Sequence, residues 1–249
     1  MPNCIRDGHA LAVQHLDLPQ LRYNVFRFLS FSSHSLVLLK SGYFYPSGWT
    51  TFRGLFHGHL FACEADGIAP DILCIAKGLG AGYQPIGAML CTSTIYDAIA
   101  EGTGFFQHGH TYLGHPVAAA AGRAVLQEIY DHSLVQRVRE VGDTFQKALN
   151  ETFAQHSHVG DIRGRGLFWG IEFVADRETR TPFDPQNGYA GKLKQAAFAE
   201  GLICYPMPGT RDGQHGDHVL LAPPFIMSDS PVDEVISRLE RAVGAVFPG

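Results

Sequence analysis

The stretch Asp71-Ile-Leu-Cys-Ile-Ala-Lys77-Gly78-Leu79-Gly80 constrains the fold of this chain more than any other. Ile72 to Ala76 is apolar throughout and is bounded by Pro70-Asp71 on one side and a glycine turn on the other, the pattern of a short buried strand. The strand runs straight into Lys77. Between apolar flanks an ammonium is poorly solvated, which favours the free, nucleophilic amine. Gly78 and Gly80 let the backbone turn sharply and leave room beside that amine for a flat ligand. These are the needs of a Schiff-base lysine, and pyridoxal phosphate is the commonest aldehyde such a lysine holds. The plainer alternative is a lysine that opens an exposed turn.

The segments around the lysine narrow the choice. Tyr83-Gln-Pro-Ile-Gly87-Ala-Met-Leu-Cys91 reads as a second apolar strand, and Gln107-His-Gly-His-Thr111-Tyr-Leu-Gly-His115-Pro116 leads into an alanine-rich helix. With Leu60-Phe-Ala-Cys-Glu64, Gly67-Ile-Ala-Pro-Asp71, Asp161-Ile-Arg-Gly-Arg-Gly166 and Leu221-Ala-Pro-Pro-Phe225, these segments resemble the class III, or omega, aminotransferases of the fold-type I pyridoxal-phosphate enzymes. The resemblance runs from about Gly58 to near the C-terminus. It implies an α/β fold: the C-terminal part of a fold-type I large domain over 58–157 and a small C-terminal α/β domain over 158–249. Residues 1–57 form a divergent leader without a match.

Several roles follow from the resemblance. Lys77 is the catalytic lysine that anchors pyridoxal 5'-phosphate and then serves as general acid–base. Thr111, read as opening the following helix, binds the cofactor phosphate, in the family that of the neighbouring subunit, so a homodimer is expected. Arg211, in Pro208-Gly-Thr-Arg-Asp-Gly213, is the candidate for a substrate carboxylate, with Arg163 and Arg165 as unassigned alternatives and Glu64 and Glu172 equally ambiguous. The implied reaction moves an amino group from an amine or omega-amino acid to a 2-oxo acid. His57, His59, His108, His110 and His115 invite a metal reading, but no Cys or carboxylate joins them at ligand spacing, and no metal is expected.

The resemblance also has gaps. An ungapped alignment through Phe61-Ala-Cys-Glu64 puts Gly48 where the family has the aspartate that pairs with the pyridine nitrogen, and Phe56 at the arginine of a Gly-x-Gly-Arg-x-Gly turn. The upstream phosphate loop and stacking aromatic are missing as well. The chain therefore reads as the C-terminal half of an aminotransferase joined to an unrelated leader. A catalytically inactive remnant, unable to hold the cofactor productively, is the alternative.

Composition sets the outer bounds. With 249 residues, 45% of them hydrophobic and 17% charged, the chain can bury one or two cores. A net charge of -5 argues against a nucleic-acid or anionic-membrane surface. Five scattered cysteines, an odd number, argue against a disulfide framework. Met1 to His15 lacks the continuous apolar core of a signal peptide, and Phe26 to Leu39 is too short and polar to span a bilayer, so a cytoplasmic protein is expected.

The coarse pattern predicts helices near 93–100, over 116–155 with a bend near Asp131-His-Ser133, near 191–200, and from Pro231 with Ser230 as cap. Strands are predicted near 160–174, 202–205 and 218–222.

Overall fold

The computed structural model describes residues 27–31 and 58–247. They fall into two compact units, one of 27–31 with 61–132, the other of 58–60 with 133–247. The sequence reading divides the matched region at 157/158, whereas the packing divides it between His132 and Ser133. The readings made at Ser41–Gly48, Phe56 and His57 lie outside the described residues.

In the first unit, β2 (Ile72–Ala76) and β3 (Gly87–Cys91) pair antiparallel, with Ile72 opposite Cys91 and Ala76 opposite Gly87. A strand from the unmatched leader, β1 (Arg27–Phe31), pairs on the other side of β3, giving the order β1-β3-β2. Of β2 and β3 the latter is the more buried, with Ala88, Leu90 and Cys91 inside; on β2 only Ile75 is fully buried. Helix α1 (Ser93–Glu101) follows β3 directly, and α2 (Pro116–Asp131) comes after an irregular stretch.

The single bent helix expected over 116–155 is in fact two. The first ends at Asp131, Ser133 adopts the left-handed region at φ 49, and α3 (Leu134–Phe153) starts afresh. A residue at positive φ cannot continue the right-handed hydrogen-bond ladder, so Ser133 breaks the helix rather than bending it. Thr111 does not open α2. His115 is its N-cap and accepts the Ala118 N–H at Nδ1 over 3.4 Å, and Thr111 lies in the turn four residues earlier. Pro116 explains that start, because its missing N–H costs nothing in a first turn.

The second unit is built on an antiparallel sheet in the order β4-β5-β7-β6: β4 (Val159–Arg165), β5 (Phe168–Phe173), β6 (Tyr205–Pro208) and β7 (Asp217–Leu221). Along β5, Trp169, Ile171 and Phe173 are buried while Phe168, Gly170 and Glu172 are only half-buried, the period of two expected when one face meets a core. Val219 and Leu221 continue that inner face on β7. Against it pack α3, α4 (Tyr189–Ala199) and α5 (Ser230–Val246).

Leu134, Val138, Val141, Phe145, Leu149 and Phe153 recur every three or four residues and bury one stripe of α3. Val232, Ile236, Leu239 and Val243 do the same on α5. The α5 cap is Asp229 rather than Ser230, with Pro231 in the first turn as expected. Phe247, just past α5, stacks on Phe173 with ring centroids 4.6 Å apart and closes the core. The edge strand β6 carries two prolines, Pro206 opposite Val219 and Pro208 opposite Asp217.

Candidate functional site

β2 delivers Lys77 to the head of a one-turn 3-10 segment, Lys77–Gly80. Lys77 itself takes the left-handed region at φ 52, and Ala81 closes the turn at φ 46. Left-handed backbone at residues with side chains is costly, and here two such residues bracket three positions. Ala81 N–H donates to the Gly78 carbonyl at 3.1 Å and Tyr83 N–H to the Gly80 carbonyl at 2.8 Å, so the turn is ordered by its own backbone. Leu79 is 1% exposed and forms the floor of the turn.

The apolar enclosure expected for Lys77 is not present among the described residues. Lys77 and Gly78 are exposed, because the lysine leaves the sheet at its rim, one residue beyond the last β2 pair.

Thr111 is also exposed, in the turn Thr111–Gly114 of the same unit. Gly114 lies at φ 72, and a Cβ placed there would meet nothing within 4 Å, so the chain just before α2 has open space beside it. His110 precedes the threonine, and its ring packs edge-on against His108 at 5.1 Å. Among the described residues no group of three or more His, Cys, Asp or Glu could hold a metal ion.

Arg211 stands on the loop between β6 and β7, which is tightly wound. Asp212 accepts the N–H groups of Gln214 (2.9 Å) and His215 (2.7 Å) through Oδ1, and its Oδ2 lies 2.9 Å from the His215 ring. The backbone N–H bonds from His215 and Gln214, with the side-chain contact of His215, hold the Asp212 carboxyl down at about 2. Arg211 N–H donates to the His215 carbonyl at 2.9 Å, so an exposed guanidinium projects from a preordered loop.

Arg163 is already committed. Its Nη1 lies 2.5 Å from Asp161 and 3.1 Å from Glu172, and these bonds, that to Asp161 foremost, push its pKa up. Asp161, Glu172 and His218 are cross-strand neighbours on β4, β5 and β7. Burial, then the Arg163 charge, lowers the His218 pKa. Arg165 is exposed at the end of β4. Glu64 accepts the Phe61 N–H at 2.9 Å, which gives it a capping role.

The second unit also holds an apolar cavity of about 530 Å³, lined by Leu202, Ile203, Leu221, Pro223, Ile226 and Val235 among others; Lys77, Thr111 and Arg211 do not line it. The sequence reading did not single out Gly122, which is buried in α2 near Leu79 and Ile86. Its signal was a lone glycine inside an alanine-rich helix, which usually marks close packing.

Comparison with known proteins places these features in context. The family model for class-III aminotransferases matches residues 56–243. An aminotransferase of Gibberella zeae is 42% identical over 187 residues, covering 75% of this chain and 37% of that protein. A transaminase from the marine bacterium Virgibacillus superposes with a TM-score of 0.73 at 30% identity, over 78% of this chain and 43% of the other. An amine transaminase from an uncultivated Pseudomonas species, solved in its PLP-bound form, does so with a TM-score of 0.69 at 34% identity, over 78% and 43%. The mixed helix–sheet architecture over this region is that of fold-type I transaminases. The chain spans about 40% of the length of the curated relatives it matches (37% and 43% for the first two).

Proposed function

This chain belongs to the class-III aminotransferase family, and from that premise we propose that it binds pyridoxal 5'-phosphate through Lys77 and moves an amino group from an amine or omega-amino acid to a 2-oxo acid. The observation that carries the reading is the lysine at the head of a glycine turn, at the end of β2, in the unit that also holds the threonine turn.

The residues present suit two ends of the cofactor. The exposed Lys77 suits the aldehyde, and the exposed Thr111, beside the open backbone at Gly114, suits the phosphate of a cofactor held by a second copy of the chain. The position aligned with the pyridine-nitrogen partner is Gly48, outside the described residues.

When bound, the cofactor supplies an electron sink for the carbanion at the substrate Cα. The chain's own part is narrower. Lys77 would hold the aldehyde carbon until the donor's amino group displaces it, and the freed lysine amine would then take the proton from the substrate Cα as general base. Thr111 orients the phosphate of the cofactor held by a second copy of the chain. The acceptor's carboxylate falls to Arg211, whose loop needs no reordering before it binds. A second copy of the chain as dimer partner belongs to the same proposal.

Absorbance titration with pyridoxal phosphate, followed by borohydride reduction and peptide mapping, tests the reading. The expected outcome is a pyridoxyl mass on Lys77, loss of the cofactor band in Lys77→Ala, a weaker titration in Thr111→Ala, and bleaching of the band by an amine donor. A band that an amine does not bleach supports the inactive remnant instead, a reading favoured by the glycine at position 48. Labelling that ignores Lys77 removes the proposal.

A further inference from the structure

We infer that Gly122, in the middle of α2, is a positioning residue for Lys77: the missing side chain lets the helix press onto Ile86, beside Leu79, and that contact fixes the left-handed turn from which the lysine departs. The inference rests on the reading of Lys77 as the cofactor-holding residue and adds to it a part of the chain that no motif assigns.

The packing is specific. A Cβ on Gly122 would lie 3.2 Å from Ile86 Cδ1, 3.6 Å from the Leu79 carbonyl oxygen and 3.7 Å from Leu79 Cγ. A Cβ on Gly80 would lie 2.9 Å from Ile86 Cγ2. The helix, the lysine turn and Ile86 therefore close on one another through two positions that have no side chain. Both glycines are buried, as is Leu79 between them in the contact.

Two features agree with this. Glycine inside a helix is unfavourable relative to alanine, yet α2 places one amid Ala118, Ala119, Ala120, Ala121 and Ala124. Lys77 and Ala81 both sit at positive φ, a conformation that persists in residues with side chains only where the surroundings over-determine it. Two backbone hydrogen bonds order the turn from within; the helix pressing on Leu79 holds it from below. If α2 lifts, Leu79 loses its floor, the turn relaxes, and the Lys77 amine no longer leaves the sheet in one direction. Misplacement by about 1 Å is enough to lower reactivity strongly.

The test uses the full chain and four variants: Gly122→Ala, Gly122→Leu, Gly122→Ala with Ile86→Val, and Lys77→Ala as a labelling control. Ile86→Val removes Cδ1, the atom that the alanine methyl would crowd. One readout is amide hydrogen exchange at Ala81 and Tyr83, the donors of the turn. The other is borohydride trapping of pyridoxal phosphate at Lys77, counted against the exposed Lys147 and Lys194 by peptide mass.

Gly122→Leu is expected to speed exchange at both amides about tenfold and to lower Lys77 labelling about tenfold, with Lys147, Lys194 and the Ile171 and Val219 amides unchanged. Gly122→Ala shifts both readouts less, and Ile86→Val restores them. Unchanged exchange in both single Gly122 variants overturns the positioning role. So does faster exchange with Lys77 labelling intact. Equal labelling of Lys77 and Lys147 in the unsubstituted protein removes the Lys77 reading itself, and with it any lysine for Gly122 to position.

Discussion

Asp217 is the buried acid of the second unit, and its role is decided at a distance in sequence. It is 6% exposed and accepts the Ala190 N–H, at 3.2 Å, in the first turn of α4, where the N-cap is a glycine with no side chain to offer. Burial raises its pKa above the ordinary 3.8, and the Ala190 bond offsets this only in part. A carboxyl whose folded pKa is raised gives its full stability below the unfolded value and loses it as pH climbs through the folded one. Asp217→Asn keeps an acceptor without the charge, so its melting temperature relative to wild type should rise between pH 4 and pH 7. Asp217→Ala removes the cap and costs about 1 kcal/mol at pH 4, and less at pH 7, where the buried charge has already lowered the wild-type stability. Thermal unfolding at the two pH values checks this, and an Asn variant no better than Ala at pH 7 contradicts it. Sequence alone singled out Lys77 and Thr111 as candidates because each sits in a long, ordered motif. It could not show Asp217 as a cap, since its partner is 27 residues away and meets it only when β7 lies beside α4. Nor could it show that Lys77 would be exposed, because that depends on which neighbours surround the rim of the sheet.

At the scale of elements, two glycines in helices make opposite demands. A Cβ on Gly142 of α3 would stand 2.5 Å from Gly166 Cα and 2.7 Å from its carbonyl, backbone atoms of the β4–β5 turn that cannot step aside. Gly191 in α4 faces nothing within 4 Å. Gly142→Ala must push α3 off the sheet and should cost about 1–3 kcal/mol. Gly191→Ala should gain about 0.5–1 kcal/mol by removing a flexible residue from a helix. Urea denaturation measures both, and equal effects would mean that α3 does not meet the turn as described. The helices of the second unit were legible because their apolar residues recur every three or four positions. The break between α2 and α3 was only half legible: the polar run Asp131-His132-Ser133 marked the place, but a serine at positive φ has no compositional signature. The start of α2 at Pro116 was legible, but its cap was not. Thr111 is a good capping type, but His115 beside Pro116 takes the position.

Across the whole molecule the buried mass is uneven. The large core cluster runs from Val138 to Phe247 and lies within the second unit. The first unit leaves Ile68, Tyr83, Phe105, Tyr112 and Val117 more than half exposed. Apolar burial is the main favourable term in folding, so the two units should open at different free energies. Hydrogen exchange under increasing urea is expected to release β2 and β3 before β5 and β7, and simultaneous release would show a single cooperative unit. The division at Ser133 was not legible, because the family motifs run through both units without pause. One feature of the second unit reaches further. Pro206 and Pro208 can lie in a ladder with β7 only if their nitrogens point away from it, and proline nitrogen carries no hydrogen. Along that flank the sheet has no N–H to offer at either position, so a fifth strand arriving there finds a broken template. A neighbour on that side can donate to the carbonyls but receives no hydrogen from these two positions, so its side chains must carry more of the contact.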